Sequence, residues 1–331
     1  VITSRTPYRI SFFGGGSDYP EYYLKYGGKT FTTTIDKYCY ISVRELPAFY
    51  EHKLRVVYSK VEEVQSFEDL KHTVVREALR FLKIPDGLEI HHCGDLPARS
   101  GMGSSSAFAV GLLNAISALG GHKTTPWDLA RSAFYIERDM ASQTTGWQDQ
   151  IQAAYGGFNL ILLDKTNRIA VDPVTYSGDF EEHMMLFFTG VQRLSTDVTK
   201  SYNFESTGLE KMVKMVDKGL VLLSNAEVEK FAELLHESWK LKKKLSSKIS
   251  SPFIDDLYKR ARRKGAIGGK ICGAGSGGFI LLMAAPDDHE KIKDELGECV
   301  HVPFRFSNEG SKIIYWGDYE RESEGAEENG S

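Results

Sequence analysis

Apolar positions along the chain follow two periods that alternate from segment to segment. "YRISFF" (8–13) and "YCYISVRE" (38–45) are rich in aromatic and β-branched residues. "GGKTFTTTIDK" between them keeps that character, so the N-terminal part reads as a sheet. A 3.6-residue pattern covers about 66–83, and "LEIHHC" (88–93) is a further strand. A helix opens in the serine run at 104–106. A second carries strong start signals, with Thr125 as N-cap, Pro126 at the first position and Asp128 in the first turn. "GGFNLILLD" (156–164) and "RIAVDPV" (168–174) read as a hairpin.

Around "DPVTYSGDFEEH" the pattern lapses into polar turn residues, which places a domain boundary near 178. Beyond it, "HMMLFFTG" (183–190) is an apolar strand and 205–250 is helical. "AIGGKICGAGSGGFILLMAAP" (266–286) then reads as strand, glycine turn, strand, followed by a helix in "HEKIKDELG" and a last strand in "GSKIIYWG". Strands and helices mix without regular βα alternation, so the fold class is α+β. The 331 residues exceed the size at which one core keeps growing, giving units at 1–178 and 179–320 and an acidic, apolar-poor tail at 321–331.

Composition narrows the function classes. With 41 Lys+Arg against 45 Asp+Glu, no basic excess advertises nucleic acid or an anionic membrane, so any anionic ligand must be held locally. Cys39, Cys93, Cys272 and Cys299 lack C-x-x-C spacing, which suits reduced, buried thiols in a cytoplasmic protein. His91, His92 and Cys93 alternate faces of a strand and cannot converge on one metal ion unaided. No run approaches the roughly 18 apolar residues of a membrane span, and no signal-peptide pattern opens the sequence. Oligomeric state is left open.

Candidate chemistry starts at "DLPARSGMGSSSAFAVGLLNAI" (95–116), a Gly/Ser loop entering an apolar helix. Gly101 and Gly103 permit a tight turn, and the amides of Ser104, Ser105 and Ser106 open the helix at its positive end, which suits a phosphate. The P-loop lysine is missing and the dinucleotide fingerprint does not fit, since Ser106 stands where its third glycine belongs. A Ser-capped helix without a ligand is the alternative. On the second helix, Glu137 lies beside the stripe of Ala130, Ala133, Phe134 and Ala141, and a carboxylate turned to a core needs a partner, either functional or an arginine such as Arg131. Asp149 in "TTGWQDQ" is either a cap of the next turn or a site residue. Arg9 lies on a strand that ends in Gly14-Gly15-Gly16, Ser17 and Asp18, and "KICGAGSGG" is a third glycine tip.

"TPYRISFFGGGSDY", "PARSGMGSSSA" and "KICGAGSGG" resemble, in order, the three motifs of the GHMP kinase superfamily, a likeness running from residue 5 to about 320. The triple glycine replaces the G-E-H-x-D of galactokinase-like members. With "TTTIDKYCYISVR" it is similar to the branch of bacterial D-glycero-D-manno-heptose 7-phosphate kinases and to fucose-kinase-like relatives. The resemblance implies an N-terminal domain like ribosomal protein S5 domain 2, a ferredoxin-like C-terminal domain, and ATP with Mg²⁺. Gly101, Met102, Gly103, Ser104, Ser105 and Ser106 would cradle the ATP phosphates, and Ser105 and Glu137 would ligate Mg²⁺. Asp149 would orient or deprotonate the attacking hydroxyl, with Arg9 beside it. Gly15, Gly16, Ser17 and Asp18, with Gly273, Ala274 and Gly275, would meet the acceptor.

The implied reaction is phosphorylation of the anomeric hydroxyl of heptose 7-phosphate to the 1,7-bisphosphate, for nucleotide-activated heptose synthesis. Another sugar 1-kinase, fucose-like or for a related hexose, and a non-catalytic sugar-binding protein are the alternatives. A phosphorylated acceptor needs its own anion site. "FFTGVQRLSTDVTK" offers Arg193, Ser195 and Lys200, and Lys37 is a further candidate; a solvated helix start is the other reading of that segment.

Overall fold

The computed structural model describes residues 1–84, 86–176, 178–191, 198–205 and 207–317. Its first element, β1 (Ile2–Phe13), pairs antiparallel with β2 (Gly28–Glu45) across the short helix α1 (Pro20–Tyr26). The register slips between Pro7 and Arg9, beside a residue that has no amide to give the ladder. Freed from the ladder there, the Arg9 amide donates instead to the Met102 carbonyl at 3.1 Å.

At 18 residues β2 is long enough to serve several partners along one edge. Its first third pairs with β6 (Phe158–Leu163), and its last seven residues pair with β5 (Leu88–Gly94). The nine-stranded sheet runs β13-β1-β2-β5-β3-β4, with β13 at Lys312–Trp316, β3 at Leu54–Val57 and β4 at Val61–Val64, and with β7 (Ile169–Pro173) on the far side of β6. The expected hairpin is thus present. The helical pattern at 66–83 resolves into a short turn at Phe67–Asp69 and α2 (Thr73–Leu82), because Ser66 and His72 each cap a separate start. Helix α3 (Ser104–Leu119) is apolar around most of its circumference and lies buried against β1 and β2. Thr125 caps α4 (Pro126–Tyr135) by accepting from the Asp128 amide at 3.1 Å, as its sequence announces.

The second sheet is antiparallel, in the order β11-β8-β10-β9: β8 is Met184–Phe188, β9 Gly268–Ile271, β10 Phe279–Met283 and β11 Val300–His301. Helices α6 (Thr207–Ser224), α7 (Val228–Lys242), α8 (Pro252–Arg263) and α9 (His289–Glu295) accompany it, α5 being Gln148–Tyr155 in the first half. Phe231 of α7 packs edge-on against Phe12 and Phe13 of β1, with ring centroids 5.5 and 5.1 Å apart, so one apolar core runs through both halves.

Two expectations change. The second unit does not extend to 320: β12 (Phe306–Ser307) pairs with β2 and β13 (Lys312–Trp316) with β1, so the chain returns to the first sheet. Local pattern marks a strand but not its partner. Of the four thiols expected to be buried, Cys93 is exposed, at the end of β5 where the sheet emerges from its cover. No helix among the described residues is long and apolar enough to cross a membrane, and none of those residues form a cluster of three or more His, Cys, Asp or Glu side chains that could hold a metal.

Candidate active site

The loop between β5 and α3 is shaped by its glycines. Gly101 and Gly103 have φ of 82° and 74°, and a Cβ on Gly101 would stand 2.5 Å from the Cys272 carbonyl oxygen, so this loop and the third glycine tip touch backbone to backbone. Gly103 offers no side-chain cap, and the first amide of α3 bonded within the helix is that of Ala107, to the Gly103 carbonyl at 2.9 Å. The amides of Ser104, Ser105 and Ser106 are left at the positive end of a buried 16-residue helix, the arrangement that receives phosphate oxygens. Met102 contributes backbone only: its side chain is a core side chain, fully buried.

Arg9, 140 positions before Asp149, forks onto both of its carboxylate oxygens at 2.8 Å each. Its remaining nitrogen donates to the Gly101 carbonyl at 2.6 Å. Arg9 is 4% exposed. Burial alone would lower its guanidinium, but the adjacent Asp149 charge and hydrogen bonds outweigh that and raise it, so the charge is secure. Asp149 is half-buried in the first turn of α5 and caps nothing, since the N-cap residue of that helix is Trp147.

Glu137 sits where α4 passes into a single π turn, Ile136–Met140. Such turns shift the following side chains around the helix and recur at functional positions. Here the carboxylate is 1% exposed and meets no arginine. Instead it accepts from Ser105 Oγ at 2.5 Å, Ser106 Oγ at 2.8 Å and Gln150 Nε2 at 2.7 Å. Burial raises its pKa against the pull of those three donors, and the Asp149 charge adds to the rise. Ser105 is exposed, so one hydroxyl links the buried acid to the open mouth of the phosphate loop. Gln150 Oε1 is buried without a hydrogen-bond partner at the same place. A carboxylate with no cation, a hydroxyl on its rim and an orphaned amide oxygen are all oxygen donors, the set a hard divalent ion takes.

Asp18 faces the same cleft from the first glycine loop. Its oxygens accept from the amides of Gly16 at 3.0 Å and Gln148 at 3.1 Å. It is 5% exposed, and burial, with the Asp149 charge nearby, pushes its pKa up to about 6. Gly15 and Gly16 bring their backbone beside Gln148 and Tyr202. Ser17 does not join them, contrary to expectation: it is fully buried, and its hydroxyl donates to the Lys29 carbonyl and accepts from the Lys29 amide, both at 3.0 Å. It splices the loop to β2.

Of Gly273, Ala274 and Gly275, Gly273 lies directly against Gly101, and Gly275 packs on Ile249. Sequence reading missed the side chains behind them. Lys242, at the end of α7, donates to the Gly273 carbonyl, and Tyr202 Oη donates to that of Ala274 at 2.8 Å. Lys270 of β9 donates to the carbonyls of Ser11 and Phe12 at 2.8 and 2.9 Å, joining the second sheet to β1. A buried position for Lys242 is invisible in "WKLKKKL", where it looks like one member of a solvated run. Of the expected anion site, Arg193 and Ser195 lie outside the described residues. Lys200 is exposed, and Lys37 is paired with its neighbour Asp36 at 3.1 Å.

Residues 70–157 match the profile of the GHMP kinases N terminal domain, and residues 220–301 that of the GHMP kinases C terminal region. The D-glycero-alpha-D-manno-heptose 7-phosphate kinase of Campylobacter jejuni is 28% identical over 336 residues, covering 94% of this chain and 98% of that protein. The L-fucokinase/L-fucose-1-P guanylyltransferase of Bacteroides fragilis is 22% identical over 349 residues, covering 92% of this chain but 37% of that longer protein. Among solved structures, a D-glycero-D-manno-heptose 1-phosphate kinase from Bacteroides thetaiotaomicron is similar with a TM-score of 0.79 at 25% identity, covering 96% of this chain and all of that one.

Proposed function

Because the chain belongs to the GHMP kinases, phosphotransferases that act on an alcohol group, we propose that it carries the γ-phosphoryl group of ATP to the anomeric hydroxyl of D-glycero-D-manno-heptose 7-phosphate. The observation that carries the chemistry is the Arg9 fork. It fixes an acceptor-side carboxylate and the phosphate loop to one rigid group. Support for a sugar acceptor, and for this sugar, comes from the end-to-end likeness to the Campylobacter enzyme.

Phosphoryl transfer asks mostly for alignment and charge neutralisation. The open amides of Ser104, Ser105 and Ser106 hold phosphate oxygens, so no P-loop lysine is needed. Asp149 accepts a hydrogen bond from the acceptor hydroxyl and takes its proton as the new O–P bond forms and ADP leaves. An anomeric hydroxyl is more acidic than an ordinary alcohol, which suits a carboxylate acceptor for its proton, and Arg9 stabilises the developing oxyanion. Ser105 and Glu137 would hold Mg²⁺, which when bound would supply positive charge to offset that of the ATP phosphates. Asp18 holds the first glycine loop in shape, with the Gly15 and Gly16 backbone toward the sugar.

A screen of free and phosphorylated heptoses and hexoses for ATP turnover tests this reading. Turnover of heptose 7-phosphate at least 100-fold above fucose and other hexoses is expected. Preference for an unphosphorylated hexose would move the assignment to a fucokinase-like activity, and no turnover with any sugar would remove it.

A further inference from the structure

Two lysines of the second half are buried at the cleft without a carboxylate partner among the described residues. Lys270, 2% exposed, donates to the Ser11 and Phe12 carbonyls of β1. Lys242, 6% exposed, has one hydrogen bond, to the carbonyl of Gly273. Beside it the Tyr202 hydroxyl holds the next carbonyl, that of Ala274. Two successive carbonyls of the third glycine loop are therefore held by side chains of the second half.

In a planar trans peptide the carbonyl and the following N–H point in opposite directions, and the described chain has no cis bond. The amides of Ala274 and Gly275 are consequently aimed away from Lys242 and Tyr202. On either side, the amides of Cys272 and Ser276 are spent on the carbonyls of Phe279 and Ile249, both at 2.8 Å. Those of Gly273, Ala274 and Gly275 have no acceptor among the described residues. The backbone alternates in hand, with φ of 65° at Gly273 and 115° at Gly275 but not positive at Ala274, the pattern that folds consecutive amides into an anion-binding nest. This nest abuts the phosphate loop: a Cβ on Gly273 would stand 2.6 Å from the Gly101 Cα.

We propose that Lys242 is a positioning residue that, through the Gly273 carbonyl, aims the Ala274 and Gly275 amides at a phosphate oxygen of the reactants. The inference rests on the kinase reading above and names a part of that site. An ammonium removed from water with only a carbonyl for company is costly. Burial pushes Lys242 down to about 8, and Cys272, Arg9, Asp149 and Asp18 are close enough to act on it. A phosphate drawn to the nest offsets that cost, so the same lysine shapes the receptor and favours its occupation. The phosphate comes either from ATP or from the acceptor, and the two sources are separable by experiment.

Calorimetric binding of tripolyphosphate and of heptose 7-phosphate to wild type, Lys242→Met and Lys242→Arg tests the proposal without requiring turnover. If the nest serves ATP, Lys242→Met weakens tripolyphosphate at least 10-fold and leaves the sugar phosphate alone; if it serves the acceptor, the reverse holds. Lys242→Arg, which keeps a charged donor, restores affinity to within about threefold. A folded Lys242→Met that binds both probes within twofold of wild type overturns the proposal. Should that variant fail to fold, Tyr202→Phe releases only the Ala274 carbonyl, and the probe that uses the nest must then weaken about threefold, no change being the refuting result. Weakened tripolyphosphate in a protein that turns over no sugar keeps the nest and discards the acceptor assignment.

Discussion

Arg9 grips Asp149 by both carboxylate oxygens, across 140 residues of sequence, while its third nitrogen holds the Gly101 carbonyl. The proposed acceptor acid and the proposed phosphate loop therefore share one planar group.

Asp149→Asn is expected to lower kcat by about 10²–10⁴, the range of a positioned acid or base, while leaving ATP affinity within twofold. Arg9→Lys should lose a comparable factor, because an ammonium cannot reproduce the fork. The double variant should cost little more than either single one, since both break the same unit. Single-turnover kinetics with calorimetry decides, and additive losses would argue that the two act separately.

Glu137→Gln removes the charged oxygen donor from the Ser105, Ser106 and Gln150 cluster. The Mg²⁺ concentration needed for half-maximal turnover should rise at least 10-fold, and Mg²⁺ should no longer strengthen the binding of a non-hydrolysable ATP analogue. An unchanged Mg²⁺ profile would reduce Glu137 to a structural acid.

Asp18 has a native pKa of about 6 against 3.8 for the free side chain. Between those values the native state holds a proton that the unfolded chain has released, so the contribution of Asp18 to stability is fully present below about pH 4 and is lost as pH rises through 6. The difference in unfolding free energy between wild type and Asp18→Asn should therefore grow in favour of wild type from pH 6.5 to pH 4, by an amount on the order of 3 kcal/mol at most. Urea denaturation at a series of pH values measures it, and a flat difference contradicts the burial argument.

Gly101→Ala places a methyl 2.5 Å from the Cys272 carbonyl oxygen at a φ of 82°. Neither backbone can yield without parting the two loops. A loss of roughly 1–3 kcal/mol in stability is expected, from strain and crowding together. Affinity for the ATP analogue should fall at least 10-fold, and a variant with wild-type affinity would show that the loop contact is dispensable.

Much of this site is legible in sequence because glycine and proline act locally. Thr125 and Pro126 start a helix wherever they stand, and glycine tips mark where backbones approach closely. Which tips meet is a tertiary matter, and the Gly101–Gly273 contact is written in no local pattern. The π turn under Glu137 has no distinguishing composition, so an acid beside an apolar stripe reads equally as a surface residue. Ser17 and Met102 sit inside motifs yet are consumed by packing, which no motif can show. Lys242 is hidden by its neighbours: Lys240, Lys243 and Lys244 give it the look of solvent, and only the angle of α7 buries one of the four.

The return of the chain to β1 orders the events of synthesis. Ile2 pairs with Trp316 and the Gly317 amide donates to the Val1 carbonyl, so β1 waits for β13, made long after it, to close its outer edge. The first half can collapse on a ribosome but leaves that edge unpaired, inviting contacts with other nascent chains until β13 arrives. Dividing the gene at residue 178 would therefore yield a fragment that holds the phosphate loop and the acceptor acid but not a finished sheet.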